Sequence, residues 1–139
     1  VAVPLALGCS FLWSIVLDTL TDPVEPQMFV QAVLDVDNLG VVIFASMYAV
    51  LGAPVLEEVL FRGFMLPAMT TKLGTMAGRS LNSFLFGLIH AADPWAIFPA
   101  AVIGMIACWL RRQSGSIGAS IVFHSMNNLC ALMLLAAGY

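Results

Sequence analysis

The sequence predicts an all-α fold, a polytopic integral membrane bundle with about five transmembrane helices, and three observations carry this. Of the 139 residues, 61% are hydrophobic and only 9% charged, and mean hydropathy is +1.00. A soluble domain commits roughly a quarter of its residues to charge, because its surface needs them. The apolar residues fall into five runs separated by polar or turn-forming segments. Outside those runs the basic residues gather in two of the connections and leave the other two acidic.

In chain order, the first run is 1–17 (VAVPLALGCSFLWSIVL), close to the ~20 apolar residues that a bilayer core requires. Residues 18–39 form a polar interval with Asp18, Asp22, Glu25, Asp35 and Asp37 and no base. Within it, MFVQAVLDV suggests a short helix along the membrane interface. The second run covers about 40–70 and exceeds one span, so tilt, a break near Gly52 and Pro54, or an end near Pro67 is expected. Lys72 to Arg79 read as a small polar loop containing glycine. The third run, 80–92, is short for a full span. Asp93-Pro94 marks a turn, since the residue before proline resists helical geometry. The fourth run is 95–110, RRQSGS follows as a loop, and the fifth run is 117–138.

Threading five helices alternately places Lys72, Arg79, Arg111 and Arg112 on one face and the acidic connections on the other. Positive charge favours the cytoplasmic side, which puts the N-terminus inside and the C-terminus outside. A net charge of −3 offers no basic patch for nucleic acid. Cys9, Cys108 and Cys130 lie in apolar runs without CxxC spacing and read as small hydrophobes. A chain beginning at Val1 rather than methionine is expected to be a fragment or a processed product. Its first apolar run lacks the basic flank of a signal peptide.

The chemistry is concentrated in a few polar residues inside the apolar runs, each costing roughly 2.5–3.5 kcal/mol on insertion scales when ionisable. In APVLEEVLFRGFML, residues 53–66, Glu58 and Arg62 are i,i+4 and can pair along one helical face. Glu57 points about 100° away, so it stays free for general-base work. His124 and Asn128 are also i,i+4, with Asn127 beside them, and His90 lies one turn after Phe86. At 1.5 Å rise per residue, Glu57, His90 and His124 fall roughly 15–20, 15 and 10 Å from the basic face, so one cavity opening there can hold all three. A carboxylate, two imidazoles and an amide suit activation of water and stabilisation of an oxyanion. The structural alternatives are a buried ion pair for Glu58 and Arg62, helix–helix links for His124 and Asn128, and a packing role for His90. Ser83, Ser120 and Ser125 lie in no Gly-x-Ser-x-Gly elbow. No HExxH occurs, yet Glu57, His90 and His124 are a conceivable three-ligand zinc set drawn from separate helices.

EEVLFRG, FGLIH and HSMNN match, in order, EExxxR, FxxxH and HxxxN motifs. Together they resemble the CAAX protease and bacteriocin-processing (CPBP) family of intramembrane glutamic-type proteases. The Arg-Gly after the carboxylate pair and the segment GSIGASIVFHSMNN look more like bacterial members. The resemblance implies an intramembrane endopeptidase, working without a cofactor, in which Glu57 and His90 activate the hydrolytic water. It implies that His124 and Asn128 form the oxyanion hole and that Glu58 and Arg62 orient the site. The implied partners are a membrane-associated protein or peptide substrate and the lipid bilayer. The implied location is a bacterial cytoplasmic membrane, with the site opening toward the cytoplasm. On this reading 1–40 is a first transmembrane helix with an acidic extracytoplasmic loop, and 41–139 is the protease core. Family members usually have more membrane helices than five, in keeping with a fragment. Two rivals use the same residues: a zinc-dependent protease, and a non-catalytic protein that binds a membrane partner in an immunity or regulatory role.

Overall fold

A computed structural model describes residues 1–20 and 36–137. Among these the chain is helical, without a strand. The interfacial helix expected over MFVQAVLDV lies outside the described residues.

Helix α1 (Ala2–Leu20) buries Ala6 and Leu17 and exposes Phe11, Leu12 and Leu20. Such one-sided burial in an apolar helix leaves the outer face to lipid. Helix α2 (Leu39–Leu73, 35 residues) starts at Asn38, whose Oδ1 accepts from the Gly40 and Val41 amides at 3.0 and 3.3 Å. That satisfies two of the donors a helix start leaves free. At about 1.5 Å per residue, α2 outruns a core of about 30 Å.

Of the alternatives expected for α2, neither the break near Gly52 and Pro54 nor the end near Pro67 occurs. Pro54 and Pro67 each remove one i→i−4 bond, yet the helix runs through both. Each proline follows a π-helical turn, Tyr48–Gly52 before Pro54 and Val59–Met65 before Pro67. Widening the turn is one way a membrane helix absorbs a proline without ending. Thr70 and Thr71 then back-bond to the carbonyls of Leu66 and Pro67 at 2.9 Å.

The loop expected over Lys72 to Arg79 is also corrected. Only Gly74, at φ +80°, separates α2 from α3 (Thr75–Leu88). A left-handed φ there needs glycine, and the chain re-enters helix at Thr75. The hairpin closes tightly: a Cβ on Gly78 would meet Thr70 N at 2.7 Å and Met69 C at 2.8 Å. Gly78→Ala is therefore expected to destabilise the bundle by about 1–3 kcal/mol through overpacking against backbone. The effect should appear as a lower unfolding midpoint in mixed micelles. Gly8→Ala, with nothing within 4 Å of its new Cβ, is the matched control and should not lower it.

Asp93 ends the turn after α3, its Oδ1 accepting from Trp95 N at 3.1 Å and starting the short 3₁₀ turn Pro94–Ala96. Helix α4 (Ile97–Ser114) takes Arg111 and Arg112 into its last turn and stops at Gly115, φ +70°. Helix α5 is Ile117–Ala136.

Helix α4 occupies the centre and touches every other helix. One core cluster joins Ala6, Ala107 and Phe123 from α1, α4 and α5, and a second joins Phe61, Phe86 and Ala100 from α2, α3 and α4. The Trp13 indole N–H donates to the Trp95 carbonyl at 2.8 Å, fixing α1 against the entry to α4. Leu39–Leu73, Pro94–Ser114 and Ile117–Leu134 are long and apolar enough to span a membrane, and Ala2–Leu17 is a shorter apolar helix. At 14 residues, α3 extends only about 21 Å. The protein is an all-α membrane helical bundle.

Candidate active site

The stretch of α2 between its two π-turns, Ala53–Glu58, carries both carboxylates. Arg62, one turn later, donates from Nη1 to Glu58 Oε1 at 2.9 Å, and both side chains are fully buried. The second arm of the guanidinium, Nη2, donates to the Gly104 carbonyl of α4 at 2.9 Å. Its Cζ lies 4.4 Å from the Phe86 ring centroid, within cation–π range. Three helices are thus tied through one arginine.

Glu58 Oε1 is shared. His124 of α5 approaches it with Nδ1 at 3.2 Å, while His124 Nε2 lies 3.9 Å from Glu57 Oε2. Because Glu58 faces Arg62 as an anion, Nδ1 is assigned the proton and Nε2 is turned to Glu57. At 3.9 Å this second contact is too long for a direct hydrogen bond, but short enough for one small molecule to bridge. Glu57 is a quarter exposed, and its Oε2 is buried without a hydrogen-bond partner. The neighbouring carboxylates therefore differ: Glu58 is tied twice through Oε1, its Oε2 remaining unpartnered, whereas Glu57 makes no hydrogen bond among the described residues.

His90, at the end of α3, is half-buried, and its Nδ1 lies 3.0 Å from the Phe86 carbonyl. A carbonyl only accepts, so Nδ1 carries the proton and Nε2 keeps its lone pair. The rings of His90 and His124 pack on the same Phe86 ring, with centroids at 5.3 and 5.5 Å. No ion pair joins His90 to either glutamate among the described residues. Asn128 donates from Nδ2 to the Ala49 carbonyl at 2.9 Å, inside the first π-turn. That commits one of its two amide protons. The structure thus brings Glu57, Glu58, Arg62 and His124 together directly, and it holds His90 beside them through Phe86. None of Glu57, His90 and His124 lines the cavity of about 340 Å³ at the basic end of the bundle.

The family model for type II CAAX prenyl endopeptidase Rce1-like proteins matches residues 39–130. The chain belongs to this family. The match begins where α2 begins and runs past Asn128, so it takes in every residue of the candidate site and leaves α1 outside. Comparison with curated proteins and with solved structures gives no match. Membership of the Rce1-like family makes the protein an intramembrane endopeptidase.

Three polar contributors to this Rce1-like core were missed in the sequence reading. Asn82, fully buried on α3, donates to the Phe61 carbonyl at 3.1 Å and accepts from Cys108 Sγ at 3.3 Å. The Gly104 and Ala49 carbonyls receive Arg62 and Asn128. Asn82 was the one with a signal, an amide alone in an apolar run, whereas backbone acceptors leave none. Among the described residues no three His, Cys, Asp or Glu side chains converge as a metal-binding set.

Proposed function

We propose that this Rce1-like chain hydrolyses a peptide bond of a membrane-associated protein or peptide by direct attack of water, with no acyl-enzyme. The reading rests on the asymmetry of the two carboxylates. Glu58 is fully buried and held through Oε1 by Arg62 and His124, while Glu57, a quarter exposed, makes no hydrogen bond among the described residues. Glu57 takes a proton from water as the water oxygen bonds to the scissile carbonyl carbon. His90 Nε2 holds the second water proton in line. The C–N bond breaks as Glu57 returns its proton to the departing amine, leaving a carboxylic acid and an amine.

In this reading His124 and Asn128 face the oxyanion. Held through Nδ1 by Glu58, His124 turns Nε2 toward the developing charge, and Asn128 offers its second amide proton. Glu58 and Arg62 fix the imidazole and the helix that bears Glu57. The basic end of the bundle faces the cytoplasm of a bacterial membrane by the positive-inside tendency. Helix α1 supplies an outer helix and 41–139 the protease core, while most of the acidic connection expected within 1–40 lies outside the described residues.

The test is cleavage of membrane-associated peptides, with and without a prenyl group, by purified protein in detergent, with and without a metal chelator. Cleavage unaffected by chelator is the expected result. Cleavage lost with chelator and restored by zinc would replace this mechanism with the metal-dependent one. Specific peptide capture without turnover would favour the partner-binding reading.

A further inference from the structure

We infer that the cavity at the basic end of the bundle binds a phosphate group, at a site that shares Arg62 with the candidate active site but does not rest on the peptidase reading. Its volume, about 340 Å³, lies within the range of small-molecule sites. Arg62, Arg79, Arg111 and Arg112 line it, together with Thr70 and Thr75 and without any Asp or Glu. Four of the chain's five basic residues therefore meet at one cavity.

Their charges are not balanced. Glu58 neutralises Arg62, but no described residue pairs with the guanidinium of Arg79, Arg111 or Arg112. The Nε atoms of Arg62, Arg79 and Arg111 are buried, and none has a hydrogen-bond partner. A buried donor left unmade costs free energy, and converging guanidiniums repel one another. An anion offering several acceptor oxygens relieves both at once. Phosphate matches the arginine fork in a bidentate manner, and its multiple oxygens serve more guanidiniums than a single carboxylate can.

The location agrees. The cavity is built from the last three turns of α2, the start of α3 and the last two turns of α4, toward the end of the bundle that meets phospholipid headgroups. Basic pockets between membrane helices bind such headgroups. An anionic phospholipid and free inorganic phosphate present the same chemistry here, and the experiment separates them.

The full chain is reconstituted in nanodiscs of phosphatidylcholine containing titrated phosphatidylglycerol, and lipid binding is read by native mass spectrometry. Inorganic phosphate is titrated separately against the thermal midpoint in neutral detergent, with chloride at matched ionic strength. Wild type should prefer phosphatidylglycerol over phosphatidylcholine by about tenfold or more, and Arg79→Gln/Arg111→Gln should lose most of that preference. Lys72→Gln, a cation at the same end that does not line the cavity, should keep it. A rise in midpoint with inorganic phosphate, absent in the double variant, assigns a soluble source. A response to lipid alone assigns the headgroup. Arg79→Lys/Arg111→Lys retains charge but not the fork, and an intermediate loss in it guards against misfolding as the cause. Equal loss in Lys72→Gln, or undiminished preference in a folded Arg79→Gln/Arg111→Gln, overturns the site.

Discussion

Glu57→Gln is expected to lower kcat/KM for peptide cleavage by about a hundred- to ten-thousand-fold, the usual contribution of a positioned general base. The substitution is nearly isosteric, so substrate access to the partly exposed side chain is preserved. It removes the carboxylate that takes the proton, and an amide cannot replace it. Stability should scarcely move, because Glu57 Oε2 makes no hydrogen bond that the substitution would break. Changes at such a position usually stay within about 0.5 kcal/mol. The informative measurement pairs turnover with the unfolding midpoint of the same preparation. Turnover undiminished in the variant would assign Glu57 to architecture, and loss of both together would mean the fold had been damaged.

Arg62→Met carries the second large effect, on stability rather than chemistry alone. It removes the partner of a fully buried carboxylate, the donor to the Gly104 carbonyl and the cation over Phe86. Breaking a buried pair from one side costs about 3–5 kcal/mol, mostly because the surviving charge is left uncompensated. Equilibrium unfolding in mixed micelles should therefore show a sharp loss for Arg62→Met. The double variant Glu58→Gln/Arg62→Met should recover part of it, since no buried anion remains. If the single variant unfolds like wild type, the pair does not hold the bundle, and His124 must be positioned by other contacts.

Local spacing made part of this site legible in advance. Glu58 and Arg62, four residues apart in an apolar run, had to share a face, and they meet at 2.9 Å. Hydropathy located the five helices, and counting Lys and Arg put both basic connections at one end, where they now line a cavity. The rest depends on contacts that no local pattern encodes. His124 reaches Glu58 across 66 residues, and Asn128 reaches Ala49 across 79. The convergence of the arginines on one cavity is equally a matter of packing. Two expectations failed for a common reason. Pro54, Pro67 and the Gly-Thr segment after Lys72 are strong punctuation in water, where a freed backbone group is readily solvated. In a bundle, π-turns, threonine back-bonds and a one-residue turn at Gly74 keep the helices going instead.

The two π-turns of α2 also make its residue count a matter of angle. Each widened turn inserts an extra residue and so advances everything after it by about 100° relative to an unbroken α-helix. The amides of Asn128 and Asn82 grip a carbonyl in each of them, like pins set in a shaft at two stations. The direction in which Glu57 and Glu58 face is thus set by phase accumulated along the helix as well as by their immediate neighbours. A lineage can exchange side chains along α2 with some freedom, but gaining or losing one residue between Asn38 and Glu57 would turn the carboxylates away from His124. Selection on this helix should therefore act on its length as strictly as on its chemistry.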